Sequence, residues 1–207
     1  MNFTTNDTQK LFQIMQNRRD VRGNHFIDKK IDNKDLELIL KAGLTAPSVG
    51  YSQPWKFIVI QEKKIKNKLF KNFTIQNIKA QKIFKTKPLY NTLKLEGIKE
   101  APINIAVLYN KPTKDILGMT TMKKMGEYSV VCAIQNMWLM ARTLNIGIGW
   151  VSILDEIDVL ETIDAPKNTQ LIAYLCVGYV DKFLEEPELK NLGWENEKSL
   201  KDCVIFK

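Results

Sequence analysis

The chain has 207 residues, 44% hydrophobic and 26% charged, the composition of a soluble globular protein that buries a core without disulfides or metals. Its 31 Lys and Arg outnumber its 23 Asp and Glu, giving a net charge of +8, and the excess is local: nine lysines against one acid lie between Glu62 and Lys87. They interleave with Ile65, Leu69 and Phe73 at helical spacing, which describes the wet face of an amphipathic helix, whereas a nucleic-acid surface is expected to mix arginines or stacking aromatics among its lysines.

No apolar run nears the ~20 residues of a membrane span, and the N-terminal residues lack the basic-then-apolar pattern of a leader. Cys132, Cys176 and Cys203 are widely spaced, and His25 is the single histidine. The expectation is one domain over residues 1–207 in the cytoplasm, with reduced thiols, no metal, no membrane and no nucleic acid as partner.

In chain order, a helix is predicted from about Asp7 to Asn17, with Leu11, Ile14 and Met15 on one face. A second runs from Asn33 to Leu44, with Asn33 as its cap. The loop Ala46-Pro47-Ser48-Val49-Gly50-Tyr51-Ser52-Gln53-Pro54-Trp55 follows, stiffened by two prolines that fix φ and restrict the residues before them. Trp55–Ile60 reads as a strand, residues 62–85 as lysine-rich helices and Ile103–Tyr109 as a strand. A long helix is expected over 121–144. Its stretch Tyr128–Met140 is apolar on nearly every side, which calls for burial against its own core and a second subunit. Gly147–Ile153, with two close glycines, and Leu171–Val180 read as the last strands. Helices and strands mix without βαβ alternation, so the fold class is α+β: a central, mostly antiparallel sheet flanked by helices.

No Walker A loop, GxSxG, HExxH or GxGxxG opening a helix is present, which argues against P-loop, serine-hydrolase, zincin and Rossmann chemistry. Two segments remain. Arg18-Arg19-Asp20-Val21-Arg22 gathers guanidinium forks suited to phosphate or carboxylate, or else cations that favour a helix C-terminus. The proline loop presents fixed polar groups to a ligand, or serves as a connector.

These two segments, with Gly147-Ile148-Gly149-Trp150-Val151-Ser152, resemble in order and spacing the nitroreductase-like flavoprotein superfamily. Leu93–Pro102 (LKLEGIKEAP) and Tyr128–Leu139 (YSVVCAIQNMWL) are similar to its 5,6-dimethylbenzimidazole synthase branch, as is Trp150–Asp155; the resemblance spans about residues 12–194. It implies an FMN-binding homodimer with flavin at the subunit interface, using O2 to fragment reduced FMN into 5,6-dimethylbenzimidazole and erythrose 4-phosphate. By the same resemblance Arg18, Arg19 and Arg22 hold the FMN phosphate and nearby oxygens. Ser48 and Gln53 meet the ribityl chain or ring edge, Leu95 and Gly97 line the ring, and Gly149 lets backbone approach it. Asp20 and Ser152 match the catalytic positions, Asp20 as proton-transfer group and Ser152 as hydrogen-bonding group. Residues 109–125 are expected to close over the flavin as a lid, with reduced FMN arriving from a separate flavin reductase. The segment after Trp194 is poor in arginine, leaving Lys198 as the substitute phosphate ligand. Rival readings are an NAD(P)H-dependent reductase that recycles its FMN and a flavin-binding protein without chemistry.

Overall fold

The computed structural model describes residues 1–207. Its helices are α1 (Thr5–Asn17), α2 (Asn33–Leu44), α3 (Lys63–Ile83), α4 (Met125–Thr143), α5 (Glu156–Thr162), α6 (Glu188–Asn191) and α7 (Leu200–Cys203). Its strands are β1 (Trp55–Ile60), β2 (Ile103–Asn110), β3 (Ile146–Val151) and β4 (Thr169–Tyr179). The strands form one antiparallel sheet in the order β1-β2-β4-β3.

The two central strands are buried along most of their length, because both of their faces are covered. Ile103, Ile105, Val107 and Tyr109 of β2, with Ala173, Leu175 and Val177 of β4, pack on one side against α2 and α4. The alternate residues Ala106 and Leu108, with Tyr174 and Cys176, meet Leu69 and Phe73 of α3 and Val159 of α5 on the other. This period-two partition makes a helix–sheet–helix sandwich with the sheet as its shared wall. The edge strand β1 instead leaves Lys56 and Val59 exposed.

The observed elements agree closely with the sequence reading, with corrections at their ends. Asn33 is the first residue of α2 and not its cap; Asp32 holds the cap position and makes no side-chain capping bond. A single helix, α3, replaces the expected lysine-rich helices, and one of its lysines is not on the wet face. Lys66 is buried, donates to the Ala101 carbonyl, and has its pKa lowered by desolvation. Helix α4 starts at Met125, four residues later than expected. Strand β3 stops at Val151, so Ser152 lies just beyond it.

Helix α5 was not foreseen. Its signal is local and short: Asp155 caps it by accepting from the Asp158 N–H at 3.2 Å, and Asn72 of α3 holds the junction through the Asp155 N–H and carbonyl.

Helix α4 is not buried on every side within one subunit. Val130, Ala133, Ile134, Met137 and Ala141 face the core, whereas Tyr128 is 50% and Val131 41% exposed. Helix α1 buries none of its residues and leaves Leu11, Phe12 and Met15 exposed. An amphipathic helix held to this extent by its own capping box alone would be marginal in water.

Candidate active site

The chain after α1 is steered by the edge of β3. Asp20 forms a parallel bridge with Ile148, and the Val21 N–H donates to the Ile148 carbonyl at 3.0 Å. The two glycines of β3 make this possible. A Cβ on Gly147 would come within 2.7 Å of Val180 and 2.8 Å of Val21, and one on Gly149 would overlap the Val21 carbonyl oxygen. The space where a Gly149 side chain would stand is therefore filled by the chain's own backbone.

Docking at β3 fixes the Asp20 carboxylate. Its Oδ1 accepts from the Trp150 N–H at 2.9 Å, and its Oδ2 pairs with the Arg22 guanidinium. A third of the Asp20 side chain remains exposed. Burial pushes its pKa above the ordinary carboxylate value, opposed by Arg22, by the Trp150 N–H and by Arg18, while Glu188 adds to the rise. Ser152, exposed, follows Trp150 by two residues at the end of the same strand. Asp20 and Ser152, 132 positions apart in sequence, are thus brought to one end of β3.

The three arginines have different environments. Arg22 also donates to the carbonyls of Leu95 (3.3 Å) and Trp150 (3.2 Å). Arg19 is spent on four carbonyls, those of Gln16, Arg18, Leu184 and Glu185. Arg18 lies over the Trp138 ring at 4.9 Å and leaves its N–H groups free for an anion. Arg18, Asp20 and Arg22 line a cavity of about 150 Å³ with Lys182, Phe183, Leu184, Pro187 and Glu188. The last five were not singled out from sequence. They come from a mixed, loop-like stretch more than 150 residues away, with no periodicity or motif to flag it.

The other expected site residues are not among those lining this cavity. Gly97 is buried with its open face filled by Phe26, 2.6 Å from where a Cβ would stand. Leu95 packs partly against the α3-side core and offers its carbonyl to Arg22. Lys198 is exposed in the C-terminal segment, which Trp194 anchors on Phe84 and Tyr90 (ring centroids 5.5 and 6.2 Å away), and it does not line the Arg18 cavity. In the proline loop, the Ser48 Oγ accepts from the Gln53 N–H at 3.1 Å, and the Val49 N–H donates to Ser129 of α4 at 3.1 Å. Gln53, at φ +46°, lines a second cavity of about 350 Å³ with Tyr109, Lys111, Lys114 and Lys167. The 109–125 segment leans on this loop: a Cβ on Gly50 would come 2.7 Å from the Leu117 carbonyl.

The chain therefore holds two separate groups of expected site residues. The proline loop bonds Ser129, in the first turns of α4, whereas Arg19 bonds Trp138 and Asn17 bonds Arg142, both toward its end. At 1.5 Å per residue these anchors are separated along the axis by roughly 14–20 Å.

The Nitroreductase family model matches residues 15–179. The chain belongs to the nitroreductase family. Among curated members, it is 38% identical over 189 residues to a 5,6-dimethylbenzimidazole synthase of Rhodospirillum rubrum, covering 89% of each chain. It is 32% identical to another protein of that name from Rhodobacter capsulatus, covering 94% of this chain and 95% of the relative. Among solved structures, it superimposes on an oxidized iodotyrosine deiodinase bound to FMN and 3-iodo-L-tyrosine with a TM-score of 0.68, at 22% identity over 84% of this chain and 91% of that one. That likeness fixes the nitroreductase fold. No helix of the chain is long and apolar enough to cross a membrane.

Proposed function

We propose that this nitroreductase-family chain is a 5,6-dimethylbenzimidazole synthase: an FMN-binding homodimer that uses O2 to convert reduced FMN into 5,6-dimethylbenzimidazole and erythrose 4-phosphate. The observation that carries this reading is the 38% identity to a synthase of that name across 89% of both chains. The geometry supports it with a partly buried carboxylate and a serine at one strand end, beside an arginine with free donors.

The site fits FMN in part. Arg18, with Lys182 beside it, can hold the phosphate, since its guanidinium is not bonded to the chain. Arg19 is saturated by carbonyls and orders the 16–19 and 184–185 segments. Phe183, Leu184 and Pro187 supply apolar wall. A cavity of about 150 Å³ is small beside the ~300–1,000 Å³ of ordinary ligand sites, so one subunit does not enclose the group. Pairing α4 antiparallel with its copy would cover Tyr128 and Val131 and set the proline loop of one subunit, with Ser48 and Gln53, against the Asp20–Arg18 end of the other. The exposed apolar residues of α1 would be covered in the same step.

When bound, reduced FMN supplies the electrons for dioxygen and the ring from which the product is cut. The chain's part is to exclude water, orient the ring and move protons. Asp20 Oδ2 is the acceptor, ionised above its raised pKa. Ser152 Oγ donates or accepts a hydrogen bond at the same end of β3. The 109–125 segment, resting on the proline loop, closes the entrance; reduced FMN then comes from a separate flavin reductase in the cytoplasm.

The test supplies purified protein with FMN, a flavin reductase, NADPH and air. The expected result is 5,6-dimethylbenzimidazole by mass spectrometry. Its absence while reduced FMN demonstrably binds would overturn the reading. Rapid NAD(P)H oxidation without the reductase, with reduction of a nitro compound, would instead identify a flavin-recycling reductase.

A further inference from the structure

We infer that Arg22 is a positioning residue for Asp20: its guanidinium ties the carboxylate to β3 and to the 93–97 segment, so that the proton acceptor is held in place, with a cation against its charged form, before any ligand arrives. The inference deepens the synthase reading, which gives Asp20 its role.

The sequence places Arg22 among the phosphate-binding arginines. The structure gives its side chain other partners: one terminal nitrogen pairs with Asp20 Oδ2, and the other donates to Leu95 O and Trp150 O. Only 14% of the side chain is exposed. The backbone of Trp150 is used on both sides, its N–H donating to Asp20 Oδ1 and its carbonyl accepting from Arg22. Asp20, Arg22 and Trp150 thereby close a ring of charge-assisted hydrogen bonds around one backbone unit. Leu95 O ties that ring to the segment that resembled the synthase branch most specifically.

The groups facing Asp20 are few. Arg18 and Arg22 come from its own segment, Glu188 from α6 and the Trp150 N–H from β3; Arg19, His25 and Lys182 line the same cavity further round. Arg22 is the one cation in direct contact. Burial favours the protonated carboxyl, so removal of this cation leaves desolvation and Glu188 opposed only by Arg18 and one N–H.

The experiment follows the Asp20 side-chain carbon by NMR in the FMN-free protein across pH 3–9, for wild type, Arg22→Gln and Arg22→Lys. An opposite charge in contact lowers an Asp pKa by about 1–3 units, so Arg22→Gln should raise the Asp20 midpoint by about one unit or more. Arg22→Lys should bring it back toward wild type. With FMN, reductase and air supplied, the acid limb of product formation should move in the same direction. A midpoint unchanged in Arg22→Gln overturns the inference. If Arg22→Gln does not fold, Arg22→Lys carries the test: a midpoint near wild type supports the role, and a rise of a full unit despite the retained charge overturns it. The titration needs no turnover, so it stands or falls independently of which product the enzyme makes.

Discussion

The closest approach of two backbones near Asp20 offers a sharp perturbation: Gly149→Ala. A Cβ at this position would lie well inside 3.0 Å of the Val21 carbonyl oxygen and 3.2 Å from its carbon. The obstacle is backbone on both sides, so no side-chain rotation relieves it, and the 20–21 segment must retreat from β3 by about 1 Å to restore ordinary contact. Three hydrogen bonds depend on that approach: Val21 N–H to Ile148 O, Trp150 N–H to Asp20 Oδ1 and Arg22 to Trp150 O. Overpacking a filled site costs about 1–3 kcal/mol, and loss of the paired backbone bonds places this variant at the upper end. For a chain of this length about 3 kcal/mol lowers Tm by ~6–12 °C. Thermal and urea unfolding of the variant measure the cost, and product formation measures the displacement of Asp20, expected to fall at least tenfold at a temperature where the variant is folded. Gly193→Ala is the control. Its backbone is left-handed, φ +71°, but nothing lies within 4 Å, so only the ~1 kcal/mol of left-handed strain is expected. A Gly149→Ala protein as stable and as active as wild type would refute the packing argument.

Asp20→Asn keeps the volume and removes the proton acceptor; it should bind FMN and lose product formation by about 10²–10⁴-fold, and full activity would remove Asp20 from the reaction. In the wild-type protein the raised Asp20 pKa puts the acid limb of activity above the pKa of an ordinary Asp, activity being lost as pH falls through that pKa because the acceptor is then protonated. A pH–rate profile flat down to pH 4 would contradict it. Val131→Asp places a charge on the exposed face of α4 while leaving its core face intact; sedimentation velocity should show dissociation to monomers with loss of FMN binding. Leu69→Ala, at a fully buried position between α3 and the sheet, should cost about 2–5 kcal/mol in urea unfolding without shifting the pH profile.

Much of the fold was legible because it is written in short-range patterns. The helical spacing of Leu36, Ile39 and Leu40 and the apolar runs Ile105–Tyr109 of β2 and Leu171–Tyr179 of β4 follow directly from which faces of helix and sheet lose water. What escaped were elements whose pattern is too brief to be periodic, such as seven-residue α5, and exceptions made by one contact, such as Lys66 bonded inside a lysine-rich helix.

The candidate site was legible as a set of segments but not as an arrangement. Spacing singled out Arg18–Arg22, the proline loop and Gly147–Ser152, since prolines, glycines and clustered arginines stand out by residue type alone. Residue type gave Arg18, Arg19 and Arg22 one shared role; only the tertiary structure divides them, because a guanidinium's role is decided by the acceptors within its reach. Those acceptors are carbonyls at Leu95, Trp150, Leu184 and Glu185, which carry no sequence signature. The glycines of β3 tell the same story. Sequence marked them as places of close approach, and the fold decided that what approaches is Val21, delivering Asp20 to the end of the strand.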